Sequence, residues 1–281
     1  MFSYRHGFHA GNHADVLKHV VLVQMLGYLT GKDAPLWFVD THAGAGAYSL
    51  ESDFARKLGE FEEGIGRLWD RSDLPPSVAA YVEQVKALNP DGRLRHYPGS
   101  PQIAVQMLRP QDRIQAFELH TTESKLLQKR FASAKRRVSA QAADGFAGLK
   151  AVLPPASRRG LVLLDPSYED KKDYVKVLEA MREALKRFAT GVYAVWYPQV
   201  QRQESMDLPG RLKQLAAGDW LHASLTVKAP AEDGLGLHGS GLFVFNQPWK
   251  LQSALRAELP WLAKALAQDR RASYKLQVEQ R

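Results

Sequence analysis

Five short apolar runs, each reaching an acid or a proline at its carboxyl end, constrain this chain more than any other feature. They are "LWFVDT" (36–41), "RIQAFEL" (113–119), "VSAQAAD" (138–144), "GLVLLD" (160–165) and "GVYAVWYP" (191–198). Runs this short and this apolar read as buried strands. Helical patterns separate them: "PQIAVQML" with Pro101 suited to its first turn, a basic helix over 123–137, and another over about 172–188. Parallel strands need such crossovers, so the alternation predicts an α/β fold around a mostly parallel twisted sheet. Two later runs, "LHASLTVKA" and "GLFVFNQP", have only a glycine-rich loop between them, so the last strand is expected to be antiparallel. A final helix is expected over about 250–268. Ahead of the sheet, residues 14–30 form a strongly apolar helix. Residues 51–92 carry amphipathic helix patterns with no strand between them, and read as a helical insertion within a single domain of 1–281. "RLRHYPGS" (93–100) is a short strand or edge.

Charge and composition narrow the classes of function. Lysine and arginine exceed the acids by +8, and the pI is near 9.5. A polyanionic partner fits this balance, which speaks to association and not to fold. The absence of cysteine excludes disulfides, thiolate catalysis and cysteine-bound zinc. The polar, His-rich start "MFSYRHGFHAGNHAD" does not read as a signal peptide. No apolar run is long enough to span a bilayer, so the expected location is the cytoplasm.

In open α/β sheets ligands bind beyond the carboxyl ends of the strands. Four such ends stand out. The first is Asp40-Thr41-His42-Ala43-Gly44-Ala45-Gly46, a glycine turn that lets backbone approach a cofactor, or an ordinary strand-to-helix turn. Glu118 ends the next run, where an acid can accept hydrogen bonds from ribose hydroxyls. Asp144-Gly145 either reads an adenine edge or makes a plain Asx turn. Asp165-Pro166-Ser167-Tyr168 is the most telling. An exocyclic amine on a base is a poor nucleophile, because its lone pair is delocalised into the ring. A carboxylate and a backbone carbonyl can accept both its N–H groups and favour a pyramidal nitrogen. Proline leaves its carbonyl free for this, and a tyrosine ring can stack on a flipped base. The plainer alternative is a strand ending in a proline turn beside an incidental aromatic.

Taken in order along the chain, these ends look like the pattern of an S-adenosylmethionine-dependent amino-methyltransferase. The segments "SYRHGFHAGNHADVLKH" (3–19), "DTHAGAG" (40–46), "YPGSP" (97–101), "ADGF" (143–146), "SRRGLVLLDPSYE" (157–169), "RFATGVYAVWYP" (187–198) and the tail "NQPWKL" make the resemblance specific. Together they resemble the bacterial 23S rRNA adenine-N6 methyltransferase J (RlmJ) family over nearly the whole chain. The resemblance implies a Rossmann-like methyltransferase fold with a small helical subdomain inserted after the glycine turn. It implies S-adenosylmethionine contacts at His19, His42, Ser100, Glu118, Asp144, Gly145 and Asp165. It also implies roles near the target base for Tyr4, His6 and Lys18, with Pro166 and Tyr168, and Asp165 as the catalytic acceptor. The family pattern is Asp-Pro-Pro-Tyr, and Ser167 departs from it at the third position, which removes rigidity from the turn.

The function expected is methylation of the N6 amine of an adenine in 23S rRNA, free or partly assembled, by a monomer. DNA-adenine and protein-glutamine methyltransferases can use the same tetrapeptide, but the N-terminal arm argues against both. A non-catalytic RNA-binding relative is the remaining alternative. Lys129, Arg130, Arg136, Arg137, Arg158 and Arg159 are candidates for phosphate contact. His6, His9, His13 and His19 lack an HExxH spacing, so no metal site is expected.

Overall fold

The computed structural model describes residues 5–280. From the N-terminus, α1 (His13–Thr30) leads into β1 (Trp37–Asp40) and a short β2 (Ala47–Ser49). α2 (Asp53–Leu58) and α3 (Pro76–Lys86) follow, with a 3₁₀ turn at Ile65–Arg67 between them. β3 (His96–Pro98) and α4 (Ser100–Met107) return the chain to the sheet at β4 (Arg113–Phe117). Then come α5 (Thr121–Arg130), β5 (Val138–Gln141), α6 (Gly145–Val152), β6 (Gly160–Leu164), α7 (Lys172–Arg187) and β7 (Val192–Gln199). The last third holds α8 (Gln203–Leu215), β8 (Trp220–Thr226), β9 (Gly239–Phe245), α9 (Leu251–Ala265) and β10 (Ser273–Glu279).

The main sheet runs β10-β8-β9-β7-β6-β1-β4-β5. β1 pairs in parallel with β4 on one side and β6 on the other; β5 and β7 extend the parallel set. β9 is antiparallel to both β7 and β8, and β10 is antiparallel to β8. The predicted α/β class with an antiparallel last strand is therefore met, and a further strand beyond the expected final helix is the one that comes last. β2 and β3 form a separate antiparallel pair.

The core lies on both faces of the sheet, as a parallel sheet requires. All five residues of β6 are buried. Leu161 and Leu163 join an apolar cluster with α1, while Val162 and Leu164 join a second one with α7. This is the period of two that a strand imposes on its side chains. α1 is apolar around its circumference and accordingly buried from His13 to Val23. The Asn12 side chain caps it, accepting from Ala14 N and Asp15 N at 3.0 Å each. Because β1 lies between β4 and β6, the chain reverses its winding there, and a crevice opens at the carboxyl ends.

Candidate functional site

A cavity of about 530 Å³ occupies this crevice. The ends of β1, β4 and β5 form one flank, and those of β6 and β7 form the other. The arm before α1 closes one side through His6, His9 and Asn12.

On the β6 flank, Asp165 follows the last strand residue directly. Its Oδ2 accepts from Lys18 Nζ at 2.6 Å. Lys18 also meets Asp15 Oδ1 at 2.7 Å, one helical turn away on α1. Asp15 Oδ2 in turn faces His6 Nε2 at 2.8 Å and accepts from Gly11 N at 2.9 Å. The result is a continuous line, His6–Asp15–Lys18–Asp165, with Asp15 and Lys18 almost fully buried. Burial opposes charge on Asp15, but His6 and Lys18 hold its carboxyl well below the usual range. Burial likewise opposes charge on Lys18, and the two carboxylates hold its ammonium protonated. Burial pushes Asp165 upward, with Lys18 pulling against it. Asp165 Oδ1 and the Pro166 carbonyl have no hydrogen bond among the described residues.

Tyr168 completes the turn at φ 54°, an unusual backbone for a side-chain-bearing residue. Its hydroxyl donates to Trp196 O at 2.7 Å. The pairing of β6 with β7 stops at Leu164 and Val195, so this carbonyl lies one residue past the ladder and the tyrosine takes the missing strand's place. Arg202 Nη1 donates to Tyr168 O at 3.0 Å and fixes the backbone. The ring packs on Tyr174 at 4.6 Å and lies 6.1 Å from Trp196. Lys18 Nζ sits 5.7 Å from the centre of the Trp196 ring.

The other flank is built from backbone turns held by acids. Glu118 Oε2 accepts from Gly44 N at 2.8 Å and Oε1 from His120 N at 2.7 Å, and burial raises its carboxyl. Gly44 itself takes φ 57°. Asp144 caps α6 through Oδ1, with Phe146 N at 2.8 Å. A Cβ on Gly145 would collide with the Thr41 carbonyl oxygen. His42 Nδ1 lies 2.8 Å from Thr41 Oγ1, its ring meets Phe146 edge-on at 4.8 Å, and burial pushes it down to about 4. Ser100 Oγ donates to Asp40 Oδ2 at 2.6 Å. Burial raises Asp40 to about 7 despite that bond. His19 Nδ1 faces Tyr97 OH at 2.8 Å, and Tyr97 OH faces Tyr81 OH at 3.0 Å. Burial holds His19 neutral, pushed down to about 3, and its Nε2 is buried with no partner among the described residues.

The cavity thus brings together His6, Lys18, His19, His42, Ser100, Glu118, Asp144, Gly145, Asp165, Pro166 and Tyr168. Tyr4 lies outside the described residues. Asp15, Asp40 and Trp196 are participants that the sequence left without a role. The signal for Asp15 was present: it and Lys18 are the charged pair, at helical spacing, of an otherwise apolar helix. Of the four histidines near the N-terminus, three take separate partners, His6 on Asp15, His9 on Glu60 and His19 on Tyr97, and His13 Nδ1 is buried with no partner among the described residues. Among the described residues no group of three or more side chains is arranged to hold a metal. The basic candidates divide by position. Arg136 and Arg137 precede β5, and Arg158 and Arg159 precede β6, so these four stand at the amino ends of the strands, away from the cavity. Arg137 Nη2 donates to Leu108 O at 2.6 Å, and Arg159 donates to Leu29 O at 2.6 Å and to Ala34 O. Those two guanidinium groups tie loops together.

A doubly wound sheet with an acid-held glycine turn at β1 and Asp-Pro-Ser-Tyr at β6 defines a methyltransferase of the Rossmann-like class. Residues 33–278 match the family model described as "Ribosomal RNA large subunit methyltransferase D, RlmJ". The chain belongs to that family. It is 49% identical over 262 residues to "Ribosomal RNA large subunit methyltransferase J" of Escherichia coli (strain K12), covering 93% of each chain. The protein of the same description from Haemophilus influenzae is 46% identical over 275 residues, covering 98% of this chain and 97% of that one. The crystal structure of protein LPL1258 from Legionella pneumophila superposes with a TM-score of 0.88 at 36% identity, over 96% of this chain and 98% of that chain.

Proposed function

We propose that this chain transfers a methyl group to the N6 amine of an adenine in 23S rRNA. The observation that carries the reading is the state of Asp165. Lys18 fixes one carboxylate oxygen at 2.6 Å, while the other oxygen and the adjacent Pro166 carbonyl are left to accept N–H groups. S-adenosylmethionine, the cofactor of this methyltransferase family, supplies an electrophilic methyl on a sulfonium. The β1–β4–β5 flank fits that group. It offers the Gly44 turn, the Glu118 carboxylate and the Asp144–Gly145 turn, all lining the cavity, and His19 on α1 adds its orphaned Nε2 beside them. His42, Ser100 with Asp40, and Asp144 shape the same wall.

The residues of the other flank divide the remaining work. Asp165 Oδ1 and Pro166 O each accept one hydrogen of the amine, which draws its lone pair out of conjugation and toward the opposite flank. Trp196, partly buried in the cavity wall, supplies aromatic surface for the base, while Tyr168, 2% exposed with its hydroxyl on Trp196 O, is too enclosed to stack and instead braces that wall. Lys18 holds Asp165 in place, and Asp15 and His6 hold Lys18. The displaced proton leaves through Asp165, whose raised pKa suits it to receive one. Orientation is the main source of rate in such a transfer. Tyr4 near the target base, a monomer as the acting form, the cytoplasm as its location and residues 51–92 as an inserted subdomain complete the reading. Among the described residues no helix is long and apolar enough to cross a membrane.

The substrate form follows from the chemistry. Amine transfer needs an unstacked base, so free or partly assembled 23S rRNA accepts methyl faster than a finished subunit that buries the site. Rates on deproteinised 23S rRNA and on mature large subunits test this, with DNA as a third acceptor. Equal rates on the two RNA forms, or transfer to DNA alone, overturn the reading.

A further inference from the structure

The hairpin between β8 and β9 closes the acceptor side of the cavity. Its base is fixed. Val227 N donates to His238 O at 2.9 Å, His238 N donates to Gln199 O at 3.1 Å, and Gln201 Nε2 donates to Ala231 O at 2.6 Å. Its tip stands clear. Gly234 and Gly236 take φ 75° and 85° and hold Leu235 between them. Gly234 N donates to Ala231 O at 3.0 Å and Leu235 N to Asp233 Oδ1 at 2.9 Å, so the tip is a closed turn. A Cβ added at Gly236 would meet nothing within 4 Å. Leu235 is 72% exposed, yet residues 234–237 line the same cavity as Asp165. A single exposed leucine on a surface needs no explanation. This one is presented on a glycine-flanked turn at the mouth of a site.

We propose that Leu235 is a wedge that enters the RNA base stack beside the target adenine and fills the space left when that base turns into the cavity. The proposal rests on the reading of the acceptor as a nucleobase. Position supports a wedge over a cofactor lid. Gly239 pairs with Gln199, so the hairpin rises beside the end of β7, next to the Asp165 flank, and away from the ends of β4 and β5. Chemistry supports it as well. An apolar side chain can occupy a vacated stacking position without leaving a polar group unpaired, and apolar wedges between base steps are a general device of nucleic-acid deformation. Glycine on either side removes the Cβ atoms that would hold the turn off the nucleic-acid backbone. Glu232 and Asp233 make the turn unsuited to gripping phosphates, which leaves the leucine as its point of contact.

The test uses the full chain and a 23S rRNA fragment containing the adenine that the wild type methylates. One version keeps the target in its folded context; a second is a single strand in which the base is already free. Leu235→Ala is expected to lower kcat/KM about tenfold or more on the folded fragment and less than about twofold on the single strand. With 2-aminopurine at the target position, the fluorescence rise on binding should shrink in Leu235→Ala and return in Leu235→Met. Equal losses on both RNAs, or none on either, overturn the wedge. Absence of methyl transfer by the wild type overturns the underlying reading and the wedge with it. Because the side chain is exposed, an unchanged thermal midpoint verifies that the variant folds.

Discussion

Lys18 Nζ lies 2.6 Å from Asp165 Oδ2, and this contact joins the helix that precedes the sheet to the end of its central strand β6. Both groups are largely withdrawn from solvent, at 5% and 12% side-chain exposure. The ammonium is shared with Asp15 at 2.7 Å, so the two carboxylates do not depend on it equally. Asp15 retains His6 and the Gly11 amide if Lys18 is lost, whereas Asp165 retains nothing comparable.

Lys18→Ala strands Asp165 as a buried charge and removes one support of Asp15. Breaking a buried pair by deleting one partner costs about 3–5 kcal/mol. Asp165→Ala leaves Lys18 paired with Asp15 and should cost clearly less. Denaturant midpoints are expected in the order wild type, Asp165→Ala, Lys18→Ala; a reversal of the last two contradicts the shared-cation arrangement.

Tyr168→Phe removes the hydroxyl that satisfies Trp196 O at 2.7 Å. A buried carbonyl left without its donor costs about 1–3 kcal/mol. Transfer should slow as well, because the same bond fixes the ring beside the site. Thermal melts and single-turnover rates measure the two effects. A variant with unchanged stability and rate would show that ring packing on Tyr174 suffices.

Burial holds His13 and His42 near a pKa of about 4 and His19 near about 3. Each is neutral in the fold but binds a proton near pH 6.5 when unfolded. The unfolded state therefore binds more protons between about pH 4 and 6.5, and stability falls as pH drops through that window. Asp40, raised to about 7, works in the opposite direction: its contribution is present below pH 4 and lost as pH rises toward 7. His222, pushed down to about 4 as well, makes four histidines with large shifts against Asp40 and the upward shifts of Asp165, Glu118 and Glu258, so the thermal midpoint should rise from pH 4.5 to 6.5. A flat or falling profile contradicts the neutral histidines.

Gly145→Ala places a Cβ against the Thr41 carbonyl oxygen, a backbone atom that cannot swing aside. In the wild type, S-adenosylmethionine at about 100 times its dissociation constant should stabilise the fold by about 2.7 kcal/mol. The variant should lose most of that shift. Calorimetric melts with and without ligand decide it, and an undiminished shift removes Gly145 from the cofactor wall.

Most strands of the parallel set were legible because they are apolar runs that stop at a polar residue, and the same stops mark the cavity. The antiparallel edge was not. β10, "SYKLQVE", is mostly exposed and carries too little apolar alternation to show as a strand. α8 holds Pro209 in its interior, which masks a helical pattern. At the site, Asp165, Pro166 and Tyr168 could be read from local chemistry; the Asp15–Lys18 pair was visible as the charged pair of an apolar helix, but its partner, Asp165 at the end of β6, was not, because only the fold brings the two together. The tyrosine hydroxyl was invisible for a similar reason: its acceptor is a carbonyl that only the β6–β7 register exposes. Charge counts named Arg137 and Arg159 as phosphate contacts, yet a count cannot tell that their guanidinium groups are already bound to carbonyls.

The most direct test of the account is single-turnover transfer of isotopically labelled methyl from S-adenosylmethionine to deproteinised 23S rRNA, by wild type and by Asp165→Ala, followed by digestion to nucleosides. The account predicts label in N6-methyladenosine with the wild type and none above background with Asp165→Ala. Label in any other nucleoside, or full transfer by Asp165→Ala, would contradict it.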